Sequence, residues 1–207
     1  MKRGKFITIE GVEGGGKSTN IAYIAKQLDA AGIEYILTRE PGGTEVAEVI
    51  RSILLDSDLP AMHEDTELLL MFAARAEHLQ KKILPALAAG KWVICDRFTD
   101  SSYAYQSGGR GIAIERIATL ENWVQGELRP DITLLFDLNA DVGLARTRIR
   151  GEADRFEKEA VDFFNAVRQQ YLTMAKQYPE RYRLINAQQD LPEVQQQVQK
   201  VLDELLT

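Results

Sequence analysis

Five short apolar runs alternate along the chain with longer stretches of helical periodicity. Four of these runs are nearly continuous in apolar residues, which is typical of strands covered on both faces of a parallel sheet. The predicted strands are Phe6–Ile9, Tyr35–Leu37, Trp92–Cys95, Ile132–Phe136 and Tyr182–Ile185. The predicted helices cover 17–31, 44–56, 65–89, 112–127, 139–149, 157–178 and 192–205. The pattern therefore predicts an α/β fold with a doubly wound parallel sheet of about five strands.

A glycine-rich motif lies between the first predicted strand and the first predicted helix. Residues Gly11–Ser18 read G-x-x-x-x-G-K-S, the phosphate-loop pattern. Glycines without Cβ let backbone N–H groups turn inward around phosphate oxygens, and the helix that follows presents its positive dipole end. Lys17 can then reach the β- and γ-phosphates, and the Ser18 hydroxyl can ligate Mg²⁺. The alternative, a glycine-rich turn without a ligand, is disfavoured by this strand and helix context, so the pattern predicts a P-loop NTPase fold.

Composition restricts the possible partners. The chain has 207 residues, enough for one domain over 1–207, and its net charge is −6, which argues against nucleic acid or an anionic membrane as a partner. No apolar run approaches the ~20 residues of a membrane span, so we expect a cytoplasmic protein. The lone Cys95 excludes an internal disulfide and is expected to be a small buried residue on its strand.

Polar residues follow the third strand, where ligands bind in open parallel sheets. Asp96 ends that strand and could hold Mg²⁺ beside Ser18, while Arg97 could direct its guanidinium at a phosphate. A surface ion pair between the two neighbours is the alternative. The polar, aromatic and glycine-rich segment 101–111 is predicted to contact a ligand.

Two further regions carry arginines in unusual settings. Arg75 lies in a strongly apolar helix and needs a partner if buried, and Met71 and Phe72 share its face, so that an aromatic surface beside a fixed donor could hold a planar base. The arginine-rich segment of about 143–157 is interrupted by Gly151 and is predicted to be a lid over transferring phosphates, with a solvated helix face as the alternative. Neither His63 nor His78 has metal-ligand companions, so both are expected to be structural or exposed.

Taken together, these segments resemble bacterial thymidylate kinases over nearly the whole chain. The matching segments are Ile9–Thr19, Thr38–Thr44, Phe72–Arg75, Asp96–Phe98, Tyr105–Gln106 with its glycine-arginine tail, and the lid. The resemblance implies transfer of the γ-phosphoryl group of ATP to dTMP, with Mg²⁺, in a homodimer.

The resemblance also assigns roles to residues. Glu13 is expected near the deoxyribose 3′-hydroxyl and the metal, Arg51 and Arg97 at the acceptor phosphate, and Arg75 at the thymine edge. Ser102 and Gln106 are expected near Arg75, and Tyr105 is expected to crowd the sugar 2′ position. The residues expected to contact ATP are Gly11, Val12, Glu13, Gly14, Gly15, Gly16, Lys17, Ser18, Thr19, Arg146 and Arg155.

Two assignments within the resemblance stay open. The phosphate loop has no basic residue between Val12 and Gly15, so the catalytic arginine is expected in the lid, with Arg150 preferred and Arg155 second. Either Met71 or Phe72 is expected to cover thymine.

Two other functions compete with this prediction. The first is a P-loop kinase for another nucleotide or a deoxynucleoside. The second is a GTPase-type switch or partner-binding ATPase, although the chain has no N-K-x-D sequence for reading guanine.

Overall fold

The fold is known from a computed structural model that describes residues 3–148, 155–157 and 159–206. The strands are β1 (Phe6–Glu10), β2 (Tyr35–Arg39), β3 (Trp92–Asp96), β4 (Ile132–Asp137) and β5 (Tyr182–Asn186). All pair in parallel, in the order β2-β3-β1-β4-β5. This confirms the predicted doubly wound α/β sheet.

The helices that alternate with these strands, and the one that follows β5, cover both faces of the sheet. They are α1 (Lys17–Ala30), α2 (Glu45–Leu55), α3 (Glu64–His78), α4 (Leu84–Ala88), α5 (Thr99–Ser102), α6 (Ile114–Gln125), α7 (Ala140–Arg148), α8 (Val161–Gln177) and α9 (Leu191–Leu206). Successive residues of β1 and β3 enter different clusters of the core: Ile7 and Ile94 belong to one, Phe6 and Val93 to another. In the part of the chain that the structure describes, no helix is long and apolar enough to cross a membrane.

The predicted helix 65–89 is not continuous. A π-helical turn, Leu79–Ile83, joins α3 to α4, and Pro85 follows it as the second residue of α4. Proline has no N–H to donate and its ring clashes with the carbonyl four residues earlier, and a wider turn removes that clash. Sequence periodicity alone does not register this change of helix type.

The segment after β3 is more regular than its composition indicates. The short α5 continues into a π-helical segment, Tyr103–Gly109, which packs against α8. A Cβ on Gly109 would lie 2.3 Å from the Phe163 ring, and one on Gly108 would lie 2.8 Å from Gln170 Cβ. These glycines therefore permit a close contact between two helical segments.

The predicted lid falls partly outside the described residues. Residues 149–154 and 158, which include Arg150, lie outside the described residues. Residues 155–157 form a turn, so the helix predicted from 157 begins instead at Val161.

Candidate active site

The phosphate loop connects β1 to α1 in the way the motif predicts. Gly11, Gly14 and Gly16 have φ of 130°, 73° and 76°, which side-chain-bearing residues rarely adopt. A Cβ on Gly14 would also lie 2.3 Å from the carbonyl oxygen of Gly143 in α7. The glycines therefore serve both the curvature of the loop and the approach of α7.

Lys17 folds back over the loop. Its Nζ donates to the carbonyl oxygens of Gly11, at 2.9 Å, and Val12, at 2.8 Å. Burial and the positive charge of Arg97 lower the pKa of Lys17 to about 8, against the opposing charges of Glu13, Asp96 and Glu10. The negative charge of an anion in the loop would therefore favour the ammonium form of Lys17.

A cavity, here called the loop cavity, opens in front of this motif. It is lined by Glu13, Gly14, Gly15, Gly16, Lys17, Ser18, Thr19, Arg39, Glu40, Arg51, Asp96, Arg97, Arg146 and Glu157. Ser18 and Thr19 are exposed at the start of α1. The sheet register pairs Ile9 with Asp96, which brings the ends of β1 and β3 to the same edge.

Asp96 has the properties of a cation ligand at this edge. Its Oδ1 is buried and has no hydrogen-bond partner among the residues that the structure describes. An orphaned carboxylate oxygen of this kind is costly unless a cation or water completes it. The described residues contain no group of three or more His, Cys, Asp or Glu side chains that could hold a metal ion.

A second cavity, here called the inner cavity, lies beside the segment that follows β3. Its lining residues are Glu13, Glu40, Pro41, Arg51, Leu55, Met71, Arg75, Arg97, Phe98, Ser101, Ser102, Tyr105, Gln106 and Phe156. Glu13, Glu40, Arg51 and Arg97 line both cavities. Two molecules bound in them would therefore meet between these charged side chains.

Arg97 lies at that junction. It adopts φ 67°, a left-handed conformation that costs a non-glycine residue about 1–2 kcal/mol. Its Nη2 donates to Glu13 Oε1 at 2.7 Å, and its guanidinium lies 5.0 Å from the Tyr105 ring centroid. Burial alone would raise the pKa of Glu13, but the charges of Arg97 and Lys17 outweigh it and hold that pKa below its usual value.

Arg75 is held rigidly at the wall of the inner cavity. It is 2% exposed, and it donates from Nε to Glu40 at 2.7 Å and from Nη2 to Ser102 Oγ at 3.1 Å. Its remaining terminal nitrogen, Nη1, is buried without a partner in the described part of the chain. His78 also contacts Glu40, at 3.0 Å, so this histidine is structural, as expected. The guanidinium fork is thus oriented with a donor left over for a ligand.

The two residues that share the face of Arg75 lie in different places. Met71 lines the inner cavity. Phe72 is 2% exposed and packs with Leu68, Ile112 and Ile117, its ring 4.5 Å from the Arg75 guanidinium. Phe72 therefore supports Arg75 from the core side.

Tyr105 and Gln106 are held in place by hydrogen bonds to two carboxylates, those of Glu13 and Glu67. The Tyr105 hydroxyl donates to Glu13 Oε2 at 2.6 Å, and Gln106 Nε2 donates to Glu67 Oε1 at 2.9 Å. Edge-to-face contacts with Phe156, Phe163 and Tyr171 surround the Tyr105 ring. This ring has little freedom to yield to a larger ligand.

The remaining predicted arginines lie in different places: Arg51 lines both cavities, Arg146 lines the loop cavity and Arg155 lines neither. Arg146 Nη1 donates to the carbonyl oxygens of Gly14, at 3.3 Å, and Ala187, at 3.0 Å, and so lies beside the phosphate loop. Arg155 lies away from that loop, where it donates to Glu67 at 2.6 Å and to the Leu54 carbonyl at 2.8 Å. Arg51 Nη1 donates to the Pro41 carbonyl at 2.8 Å, next to the cis Glu40–Pro41 peptide bond.

Sequence reasoning did not find several residues that organise this site. Glu40 and Glu67 are buried carboxylates, 4% and 1% exposed, that orient Arg75, Gln106 and Arg155. Phe156 forms one wall of the inner cavity. For Glu67, the sequence signal that could have been used is a carboxylate beside an apolar helical run, as in Glu67-Leu68. An acid in that position is expected to be buried, and a buried acid requires several hydrogen-bond donors.

Comparisons with known proteins by sequence and by structure identify the same family. The family profile described as thymidylate kinase matches residues 9–198. A thymidylate kinase of Ectopseudomonas mendocina (strain ymp) is 60% identical over 203 residues, which cover 98% of this chain and 97% of that protein. One from Vesicomyosocius okutanii is 55% identical over 205 residues, 99% of this chain and 100% of that protein. The crystal structure of thymidylate kinase from Ehrlichia chaffeensis superposes with a TM-score of 0.78 at 34% identity, and the match covers 97% of this chain and 99% of that one.

Proposed function

This chain belongs to the thymidylate kinase family, and we propose that it transfers the γ-phosphoryl group of ATP to dTMP, yielding dTDP and ADP. The observation that carries the proposal is the pair of cavities that meet at Glu13, Glu40, Arg51 and Arg97. One cavity contains the phosphate loop and the other a fixed guanidinium with a free donor. The whole of 1–207 then acts as one kinase domain, with a lid at about 143–157.

The donor nucleotide is assigned to the loop cavity. The backbone N–H groups of Gly14–Thr19 and the start of α1 would surround its phosphates, with Lys17 and Arg146 adding positive charge. Asp96 and Ser18 would hold Mg²⁺, consistent with the unpartnered Asp96 Oδ1. When bound, this ion would offset part of the negative charge of the phosphates.

The acceptor is assigned to the inner cavity. The free Nη1 of Arg75 would donate to a thymine carbonyl, with Ser102 and Gln106 beside it. Met71 would cover the base, because it lines the cavity while Phe72 supports Arg75 from behind. Glu13 would meet the 3′-hydroxyl, and Arg51 and Arg97 would hold the phosphate at the junction.

The chemistry that follows is direct, in-line displacement. A dTMP phosphate oxygen is already anionic and attacks the γ-phosphorus without a general base, so the protein contributes position and positive charge. Lys17, Arg97 and a lid arginine, Arg150, would share the charge of the transition state.

A coupled ADP-release assay with a panel of acceptors tests this function. We expect rapid ADP release with dTMP and little with other nucleoside monophosphates or with deoxynucleosides. A different preferred acceptor would support the rival kinase, and slow ATP hydrolysis that no acceptor accelerates would support a switch or binding ATPase.

Discrimination at the sugar should follow from the crowded Tyr105 ring. We expect kcat/KM for dTMP to exceed that for UMP by roughly 100-fold, because a 2′-hydroxyl would have no room or partner beside this ring. Ribothymidine monophosphate is the matched control, since it differs from dTMP only at the 2′ position. Comparable kcat/KM values for dTMP and ribothymidine monophosphate would show that Tyr105 does not discriminate between the two sugars.

ATP binding should be linked to proton uptake by Lys17. With a pKa of about 8, about half of these side chains are neutral at pH 8 in the free protein, and phosphate charges favour the ammonium form. We therefore expect uptake of about half a proton at pH 8 and weaker ATP binding as the pH rises from 7 to 9. Titration calorimetry in buffers of different ionisation enthalpy measures this, and Lys17→Arg, which stays charged, should abolish it. Equal proton uptake by the wild type and by Lys17→Arg would contradict the assignment of this uptake to Lys17.

We also propose a homodimer in the cytoplasm. Val46, Val49 and Ile53 form an exposed apolar stripe on α2, and Trp123 on α6 is 82% exposed. Helix α3 packs against both α2 and α6, and we assign the dimer contact to the exposed apolar side chains of these two helices. Sedimentation should give twice the chain mass. Val49→Glu should shift the protein towards monomer, whereas Leu184→Glu on the edge strand β5 should not, and a monomeric wild type would contradict the proposal.

A further inference from the structure

Glu10, the last residue of β1, is a buried carboxylate outside both cavities. It is 0% exposed, and it is absent from the lining of the loop and inner cavities. Its Oε1 accepts from the Phe98 backbone N–H at 2.7 Å, and its Oε2 accepts from the Ser101 and Tyr171 hydroxyls, each at 2.7 Å. Three donors from two separate parts of the chain therefore converge on one carboxylate.

Both hydroxyls also connect this carboxylate to Arg97. Arg97 Nη1 donates to Ser101 Oγ at 3.3 Å and to Tyr171 OH at 3.4 Å. Each hydroxyl has a single proton. The two hydroxyl oxygens also lie 2.8 Å apart, and a proton donated to Glu10 leaves oxygen lone pairs to accept from the guanidinium. Glu10, the two hydroxyls and Arg97 therefore form one hydrogen-bonded network.

The same carboxylate also constrains the backbone of Arg97. The Arg97 N–H donates to the Ile9 carbonyl at 2.9 Å, and the next N–H, that of Phe98, donates to Glu10. The residue between these two anchors has φ 67°, a conformation that side-chain-bearing residues seldom adopt. The end of β1 thus fixes the peptide units on both sides of the unusual conformation.

The ionisation of Glu10 reflects opposing influences. Burial and the nearby Asp100 raise its pKa to about 7, while its bonds to Ser101 and Tyr171 and the charge of Arg97 favour the carboxylate. Arg181 pairs with Asp100 at 2.6 Å and offsets that second acid. The three donors around Glu10 are those that a carboxylate can accept from together.

We propose that Glu10, acting through Ser101 and Tyr171, is a positioning residue that holds Arg97 between the two reacting phosphates. This inference rests on the proposed function, because it concerns the same phosphoryl transfer. It assigns to Glu10 no contact with either substrate and no proton transfer with them. Its effect is to keep the guanidinium aimed at the junction of the two cavities, where Glu13 alone would fix only one of its nitrogens.

Tyr171→Phe tests this inference with a close control. The substitution keeps the ring and removes only the hydroxyl between Glu10 and Arg97. Tyr103→Phe makes the same change at a tyrosine that donates to Glu121 at 2.6 Å and lines neither cavity. We expect Tyr171→Phe to lower kcat/KM for dTMP about 10-fold while KM for ATP stays within about twofold, and Tyr103→Phe to change neither. Ser101→Ala gives the second variant should Tyr171→Phe not fold.

A double-mutant cycle with Arg97→Ala separates positioning from general stabilisation. Tyr171→Phe should have little further effect once Arg97 is absent, because its effect passes through that side chain. The inference is overturned if the two losses multiply independently, or if Tyr171→Phe lowers the melting temperature without altering kcat/KM. In those cases the wild type would still phosphorylate dTMP. A wild type that fails to phosphorylate dTMP would instead contradict the proposed function itself.

Discussion

Replacing Lys17 with alanine should lower kcat by on the order of 10³-fold while the protein remains folded. The Lys17 ammonium group lies over the phosphate loop. In the part of the chain that the structure describes, its Nζ donates to the carbonyl oxygens of Gly11 and Val12. When ATP binds, the ammonium group would exchange these bonds for bonds to the β- and γ-phosphates. Its positive charge would then lie where negative charge shifts during the reaction. Because burial already disfavours this ammonium, its removal should not lower the free energy of unfolding greatly.

Lys26→Ala is the matched control, because Lys26 is exposed on the same helix, α1. It should leave kcat and the melting temperature unchanged. Steady-state kinetics and thermal denaturation of the three proteins give the comparison. A Lys17→Ala enzyme that retains most of its turnover would contradict the role of the phosphate loop.

Replacing Arg150 with alanine should also lower kcat by on the order of 10³-fold, by analogy with arginine fingers, with little change in KM for ATP. The expectation rests on the absence of a basic residue between Val12 and Gly15. It is strengthened by Arg155, which is bound to Glu67 away from the phosphate loop.

Arg155→Ala provides the contrast in the same segment. Since Glu67 also holds Gln106 in the inner cavity, loss of Arg155 should mainly raise KM for dTMP. Single-turnover rates at saturating ATP and dTMP separate the two effects. If Arg150→Ala turns over near the wild-type rate while Arg155→Ala does not, the catalytic arginine is Arg155.

The features that sequence predicted well depend on local pattern. The five strands and the phosphate loop are specified by short apolar runs and by glycine spacing, and each lies within one or two residues of its predicted position. Asp96 and Arg97 could be placed because parallel strands end at a common edge. No long-range information was needed for any of these.

The features that sequence did not predict depend on contacts between distant segments. The helical character of Tyr103–Gly109 is stabilised by packing on α8, some 60 residues later, which overrides the usual behaviour of its glycines. The buried partners Glu10, Glu40 and Glu67 are ordinary acids in the sequence. Their roles follow only from the arginines and hydroxyls that folding brings to them.

A crystal structure with a non-hydrolysable ATP analogue, dTMP and Mg²⁺ bound together tests the central claim most directly. We expect the polyphosphate to lie in the loop cavity, thymine to lie against Arg75, and the dTMP phosphate to lie at Arg97. Its attacking oxygen should lie in line with the γ-phosphorus, at about 3–3.5 Å. An empty phosphate loop, or two ligands held too far apart for phosphorus to pass between them, would contradict it.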